Sequence, residues 1–286
     1  MQILPNTYNI MNTIEIAEEL TNLHINKNHK LITLDSKDLY TNLPKQGKNW
    51  AAKHWLQQTN ISQEERIQII LLINTIMEQN YFQYNNQFYK PQKGVIMGSP
   101  ISGTVAEIYL QRIEKTFIKQ WLDSQEIKYY RRYVDDIIII YNKDKTNGEH
   151  ILQNINNIDA NLTFKLTSEH NNSINFLDLT IHRKQNRMEL GIYRKEMSTD
   201  TTIHNMSNHP IEQKNAAFRY YINRLLSLPL TQKEKEKEWS NILNMAHSNG
   251  FSTEQITKLK TQLRKQKEQR PTKQKHGQLL LTMEDL

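Results

Sequence analysis

RRYVDDIIII, residues 131–140, decides how this chain is read. Ile137 to Ile140 have the β-branched composition of a strand buried on both faces. Asp135 and Asp136 stand at its mouth. An ionised carboxylate kept dry and unpartnered costs several kcal/mol. Either the acids sit in a turn at the open end of the strand, or a positive charge meets them there. The longer stretch YYRRYVDDIIIIY reads as two strand-like halves with the acids at their junction. Two aspartates in a hairpin are ordinary turn chemistry on their own.

The same conflict occurs upstream. In LITLDSKDLYTNLP, residues 31–44, an apolar strand-like run ends on Asp35. A divalent cation between the two strand ends resolves both conflicts. Mg²⁺ is hard, takes carboxylate oxygens, and keeps water and substrate phosphates as its remaining ligands. Asp35 and Asp135 would bridge a pair of ions about 3.5–4 Å apart. Neighbouring strand residues face opposite ways, so Asp136 reaches the same place only because the hairpin turns there. The chain has no cysteine, which excludes disulfides and thiolate zinc sites.

Ser62-x-x-Glu65 has the form of a capping box ahead of IQIILLINTIMEQN, which predicts a buried helix. YFQYNNQFYK predicts a β-hairpin around Asn85-Asn86. Gly98-Ser99-Pro100 breaks the chain, and a helix is expected to begin near Ser99–Ser102, with Ile108, Ile113, Phe117 and Trp121 at roughly helical spacing. HILQNINNIDANL suits a helix, and FKLTSEHNNSINFLDLTIHR alternates like strands. Beyond residue 210 the chain reads as helical, with Gly250 after Asn249 as a helix stop and Ser252-x-x-Gln255 as a cap.

The 286 residues suffice for one large domain or two modest ones. The hydrophobic fraction is 37% and the mean hydropathy −0.74, and no apolar run approaches the roughly 18–20 residues of a bilayer span. No membrane association is expected. The opening residues lack a basic region followed by an apolar block, so no secretory signal is expected either. The formal charge of +7 and pI of about 9.3 suit a polyanionic partner such as nucleic acid or anionic lipid. Much of the surplus lies in Lys258, Lys260, Arg264, Lys265, Lys267, Arg270, Lys273 and Lys275, a run that a solvated helix face and a basic tail would also explain.

Three segments in order, LDSKDLYTNLP, QKGVIMGSPISGTVAEIYL and YVDD, resemble the palm motifs of reverse transcriptases. Together with LTFKLTSEHNNSINFLDLTI, IYRKEMSTDT, SNHP and SNGF, they resemble the reverse transcriptases of Penelope-like retroelements, from about residue 30 to about residue 255. The resemblance implies an α+β fold: a right-hand polymerase palm, an antiparallel sheet backed by helices, followed by a mainly helical thumb. Residues 1–190 would be the palm with a remnant of the fingers, 191–270 the thumb and connecting segment, and 271–286 a basic, frayed tail. The implied activity is RNA-directed DNA synthesis from deoxynucleotides on a primer 3′-OH. An RNA template, a DNA primer and two Mg²⁺ ions would take part, with Mn²⁺ also suitable.

By the same resemblance Asp35, Asp135 and Asp136 are the catalytic metal ligands. Tyr40 gates the sugar 2′-OH, and Gln92 contacts the nucleotide. Gly98, Ser99, Pro100 and Tyr133 face template and primer, and Lys214, Arg219 and Arg224 hold the duplex by its phosphates. Lys165 is a candidate general acid for the departing pyrophosphate, although an exposed strand lysine is the plainer reading. Asp178, in a segment resembling the primer grip, is read as structural. Tyr40 has a plain alternative too, as a core tyrosine.

Gly191-Ile192-Tyr193 spells GIY, half of the GIY-YIG endonuclease signature, but YIG occurs nowhere in the chain. The string is therefore read as polymerase. The family has a fingers region ahead of its first catalytic motif, so this chain is expected to be N-terminally truncated. Fingers and endonuclease would come from another chain or be absent. The rival expectation is a catalytically inactive palm that only binds nucleic acid. The cysteine-free chain fits an intracellular protein, and the resemblance implies the nucleus.

Overall fold

The computed structural model describes residues 8–43, 56, 60–79, 81–95 and 97–269. The chain divides into two compact units, Met1–Tyr193 and Arg194–Leu286. The basic tail expected over residues 271–286 lies outside the described residues.

In the first unit, helix α1 (Thr13–Asn22) is started by Asn12, whose side chain accepts from the N–H groups of Ile14 and Glu15. Strand β1 (His29–Lys37) follows, then the single turn α2 (Leu39–Asn42). Helix α3 (Gln63–Glu78) opens on the expected capping box: Ser62 Oγ accepts from Glu65 N–H, and the Glu65 carboxylate accepts from Ser62 N–H. The sequence reading puts this helix in the core, and the structure corrects it. None of its described residues is buried, and Ile67, Leu71 and Leu72 are 50%, 59% and 59% exposed. Ile69 to Ile73 form one unbroken apolar run, so apolar side chains point all round the helix instead of along one stripe. No single packing partner can cover such a surface.

Strands β2 (Phe82–Tyr84) and β3 (Gln87–Tyr89) make the expected hairpin, with Asn85 and Asn86 at φ 48° and 59°. Next come α4 (Ser102–Asp123), β4 (Ile127–Tyr133), β5 (Asp136–Asn142) and α5 (Gly148–Ile158). Strand β6 (Thr163–Ser168) precedes β7 (Ser173–Phe176), β8 (Leu179–Arg183) and β9 (Met188–Ile192).

The main sheet is antiparallel throughout, in the order β4-β5-β1-β6. On one face Ile32, Leu34, Ile137 and Ile139 pack with Tyr109 and Leu110 of α4 and Ile151 and Ile155 of α5. On the other face Leu31, Ile138 and Ile140 are buried as well. This double burial explains the four consecutive isoleucines. Each such side chain contributes roughly 1.5–3 kcal/mol relative to exposure. A smaller sheet, β7-β8-β9, is a meander. Gly191 of the GIY string lies in β9 opposite Thr180, an ordinary ladder position. Glu169 takes Lys30 from β1 and Arg183 from β8, at 2.8 and 2.7 Å, and so ties the smaller sheet to the larger.

The described part of the second unit contains α6 (Ile211–Lys214), α7 (Ala216–Ser227), α8 (Gln232–Ser248) and α9 (Thr253–Gln269). The last three pack on one another through Phe218, Ile222, Leu225, Ile242, Met245, Ile256 and Leu259. Gly250, at φ 78°, ends α8 as its position predicts. The ring of His204 lies so close that an added Cβ would meet it at 2.7 Å. The Ser252–Gln255 cap is also formed.

Candidate active site

Antiparallel register places the acids. Asp35, near the end of β1, lies directly opposite Asp136, the first residue of β5. On its other side Asp35 pairs with Lys165 of β6. Asp136 pairs in turn with Tyr133 of β4. Directly opposed residues project to the same face of a sheet. Lys165, Asp35, Asp136 and Tyr133 thus form one row across four strands, on the face that Leu31, Ile138 and Ile140 bury further along. At the row itself burial ends: Asp35, Lys165 and Tyr133 are exposed and Asp136 is half-buried. The carboxylates stand where the apolar strand reaches water, so they avoid the cost of dry burial.

Asp135 sits beside this row in the two-residue turn Val134-Asp135. Its carbonyl accepts from Ser36 N–H at 3.3 Å, which ties the turn to β1. Among the described residues the carboxylates of Asp35 and Asp135 make no hydrogen bond or ion pair. Two carboxylates directly opposed on neighbouring strands repel one another. Lys165 supplies one balancing charge, and a hard cation would supply more.

Val134 holds φ 55°, in the left-handed region that a β-branched residue avoids. Both polar groups of Val134 are held. Its N–H donates to Asn9 Oδ1 at 3.3 Å, and its carbonyl accepts from Arg132 Nη1 at 3.1 Å. Arg132 is 1% exposed. It donates to Glu107 from Nη1 and Nη2, at 2.9 and 3.0 Å, and to Glu114 from Nε and Nη2, at 2.7 and 3.1 Å. Tyr130 donates to Glu114 as well. Burial pushes the Glu114 carboxyl up, against the pull of Arg132. Burial also acts on Glu107, but there the hydrogen bonds from Arg132 prevail and the carboxyl is held below its usual range. Burial alone would loosen the Arg132 proton, yet the two carboxylates hold it more firmly than usual. The sequence reading missed this cluster. Its signal is an arginine two residues after Tyr130, on the same inward face of β4, with two glutamates seven residues apart on one helix.

Tyr40 lies in α2, half-buried against the core cluster, so the plain core role is part of its environment. Its carbonyl accepts from Val95 N–H at 2.7 Å. Gly94, also missed, explains how the chain comes so close: it has φ 71°, and an added Cβ would lie 2.5 Å from Thr41 Cα and 2.6 Å from the Tyr40 carbonyl oxygen. Gln92, Gly98 and Pro100 are exposed, Ser99 is half-buried, and Gly98 is at φ 102° with open space where a Cβ would be. Helix α4 begins at Ser102, within the expected window, and Ser102 N–H donates to the Ser99 carbonyl.

In the second unit Arg219 is exposed, and Arg224 lies over the Tyr220 ring at 5.5 Å. Lys214 differs from both. Its ammonium donates to the carbonyls of Asn205 and Ser207 at 2.9 and 3.2 Å, so it braces its own loop.

The family model described as reverse transcriptase (RNA-dependent DNA polymerase) matches residues 2–174. The chain belongs to the reverse transcriptase family. The row of acids thus falls within this reverse transcriptase match. A second family model, the animal helix-turn-helix domain, matches residues 201–261, which include α8, the turn at Gly250 and much of α9. Among solved structures, a Candida albicans telomerase in complex with a fragment of telomeric RNA superposes with a TM-score of 0.59 at 14% identity, over 88% of this chain and 44% of that one. A Candida tropicalis telomerase in a similar complex gives 0.55 at 15%, over 91% and 44%. The RNA-dependent RNA polymerase of a human picobirnavirus gives 0.50 at 11%, over 83% and 46%. These likenesses show the fold: α+β, with a polymerase palm followed by a helical thumb. The reverse transcriptase chain spans less than half the length of these structures. No curated protein sequence matches it.

The donor set suits a divalent metal ion. It contains oxygen alone, and Mg²⁺ is commonly held by one or two carboxylates plus substrate phosphates. Asp35 and Asp136 in direct register supply two carboxylates, with Asp135 one residue away in the turn. Among the described residues no group of three histidine, aspartate or glutamate side chains is placed so as to hold a metal ion. The register brings the two residues Asp35 and Asp136 to one face of the sheet.

Proposed function

We propose that this reverse transcriptase is an RNA-directed DNA polymerase core of a Penelope-like retroelement, joining deoxynucleotides to a primer 3′-OH on an RNA template. The observation that carries the reading is the exposed cross-strand row Lys165–Asp35–Asp136–Tyr133, with Asp135 beside it in the turn. Asp35, Asp135 and Asp136 would hold the metal ions. Once bound, Mg²⁺ or Mn²⁺ would supply the charge that sharpens the attacking hydroxyl and steadies the leaving oxygen.

The chain's own groups do the rest. Lys165, in register with Asp35, would give a proton to the departing pyrophosphate. The Tyr40 ring excludes a sugar 2′-OH by occupying its space, and Gln92 contacts the incoming nucleotide. Gly98-Ser99-Pro100 offers an open backbone surface to the template, and Tyr133 meets the primer end. Arg219 and Arg224 bind duplex phosphates, which gives affinity that falls with salt and carries no sequence readout. The Penelope-like assignment rests on the order and wording of the motifs from LDSKDLYTNLP to SNGF. An intracellular, nuclear setting suits a retroelement enzyme.

The test is primer extension by the purified chain, with an RNA template, a DNA primer, deoxynucleotides and Mg²⁺. Extension by the wild type that is lost in Asp135→Asn supports the reading. Salt-sensitive binding of primer–template with no extension would leave a nucleic-acid binder instead.

A further inference from the structure

A strained turn needs something to hold it. Val134 sits in the left-handed region without being glycine, asparagine or aspartate, and such residues persist only where the surroundings over-determine them. Here the surroundings are two side chains. Asn9 Oδ1 accepts from both Val134 N–H and Arg132 Nη1, each at 3.3 Å. Arg132 Nη1 donates to the Val134 carbonyl at 3.1 Å. Asn9 is itself fastened to β4, since Ile10 N–H donates to the Arg132 carbonyl and Arg132 N–H to the Tyr8 carbonyl, at 2.8 and 3.0 Å.

The guanidinium in turn cannot drift. Nη1 also donates to Glu107, and Nε and Nη2 donate to Glu114 and Glu107, both on α4, the helix that follows the Gly98-Ser99-Pro100 loop. A planar fork with five N–H donors reaches six acceptors here, four carboxylate oxygens, the Val134 carbonyl and Asn9 Oδ1, with the Nη1 hydrogens shared among three of them, a reach that an ammonium lacks. Helix α4 supplies the anchoring carboxylates, and Val134, the turn residue ahead of Asp135, and Asn9 Oδ1 receive the further bonds. The cluster therefore joins the floor under the template loop to the acidic turn.

We propose that Arg132, with Asn9, is a positioning residue that holds Val134 in its left-handed conformation and so sets where Asp135 and Asp136 stand relative to Asp35. The guanidinium reaches no reacting atom and acts through the turn. The inference rests on the polymerase reading for its consequence in catalysis, but the holding itself can be measured without catalysis.

Removing Arg132 alone would strand the buried Glu114 and the half-buried Glu107, so the decisive variant replaces the whole cluster: Arg132→Met with Glu107→Gln and Glu114→Gln. Asn9→Ala tests the other arm and leaves the buried charges untouched. Val134→Gly gives a turn that takes φ 55° without strain. Hydrogen exchange is followed by mass spectrometry in the full-length chain. The proposal expects peptides covering 133–137 to exchange about tenfold faster in the triple variant and in Asn9→Ala, the scale of losing one charge-assisted hydrogen bond. Peptides from α7 stay as in the wild type. Adding Val134→Gly shrinks the effect of the triple change, because a relaxed turn has less need of a clamp. Under primer extension, the Mg²⁺ concentration for half-maximal rate rises in both variants while primer–template affinity holds.

Wild-type exchange at 133–137 in a folded triple variant would overturn the proposal, as would an effect of the same size in the Val134→Gly background. If the wild type extends no primer but the exchange results hold, the polymerase reading fails and the clamp stands.

Discussion

Two hairpins of the first unit share a backbone and differ in what surrounds it. The turn Val134-Asp135 joins β4 to β5, and the turn Leu177-Asp178 joins β7 to β8. Each has a branched, non-glycine residue at the first turn position, with φ 55° and 54°, followed by an aspartate. In the first, the turn opens beside an exposed lysine and two more acids, and a buried arginine reaches up to it from below. In the second, Asp178 is drawn inward: its Oδ1 is shielded from solvent, and its carbonyl accepts from Tyr193 N–H at 2.9 Å at the end of β9. The same strained turn closes a structural meander in one place and presents carboxylates in the other. The neighbours across the strands decide which, and the turn sequence alone does not.

The largest expected effect is the one that breaks this pairing. Asp135→Asn should lower primer extension at least a thousandfold, because an electrostatic contact made in the transition state is lost. Asp178→Asn should leave kcat within a few-fold and show itself in thermal denaturation. A large loss of kcat in both would remove the distinction between the hairpins.

Next in size is a stability effect. Arg132→Met alone should cost about 3–5 kcal/mol in denaturant unfolding, since it leaves the buried Glu114 and the half-buried Glu107 without their partner. Arg187→Ala should cost close to nothing, because its bond to Glu189 is made by an exposed guanidinium. Equal losses would mean that the cluster under the first hairpin is no more buried in effect than a surface pair.

A third comparison uses two positive-φ glycines near the proposed nucleotide site. Gly94→Ala drives a methyl group into the backbone of Thr41, whereas Gly98→Ala meets only open space and pays for its backbone angle alone. Thermal unfolding should therefore drop further for Gly94→Ala, by a few degrees or more at this chain length. The reverse order would show that the contact of Gly94 with α2 is not formed.

The smallest effect is a pH slope. Burial tends to raise the Glu169 carboxyl, but hydrogen bonds from Arg183 and Lys30 outweigh it and leave it below its ordinary 4.5. Its folded value lies below its unfolded one, so its stabilisation is complete above about pH 4.5 and fades as pH falls through the folded value. Glu114 has the opposite sign. Its raised folded value makes the folded state bind more protons, so stability declines as pH rises from 4.5 through that value. Glu169→Gln should flatten the acid limb of a stability–pH curve, and Glu114→Gln should flatten the decline above it. A curve unchanged by either substitution would contradict both assignments.

Much of this arrangement could be read from residues in a row. Four isoleucines ending on two acids, and Leu31 to Leu34 ending on Asp35, name the two central strands of the sheet and their open end. Antiparallel register then does what no motif states: it sets Asp136, not Asp135, directly across from Asp35. Local patterns failed where the deciding partner was distant. The capping box of α3 was legible because it is made within four residues, but the exposure of that helix was not. Burial depends on what lies opposite, and an apolar run without a stripe carries no direction. Lys214 looks like a free cation in sequence and is consumed by two carbonyls of its own loop. Arg132 looks like any basic residue ahead of YVDD, and its role appears only when Glu107 and Glu114 arrive from another helix.

Under the polymerase reading, the acids at the end of β1 and the start of β5 hold a divalent cation for nucleotidyl transfer. Titration of Mn²⁺ into the full chain with primer–template and a non-hydrolysable nucleotide, followed by electron paramagnetic resonance, tests it most directly. The account expects saturable Mn²⁺ binding in the wild type and its loss in Asp35→Asn and in Asp136→Asn, with primer–template still bound. Equal Mn²⁺ binding by the wild type and both variants would contradict it.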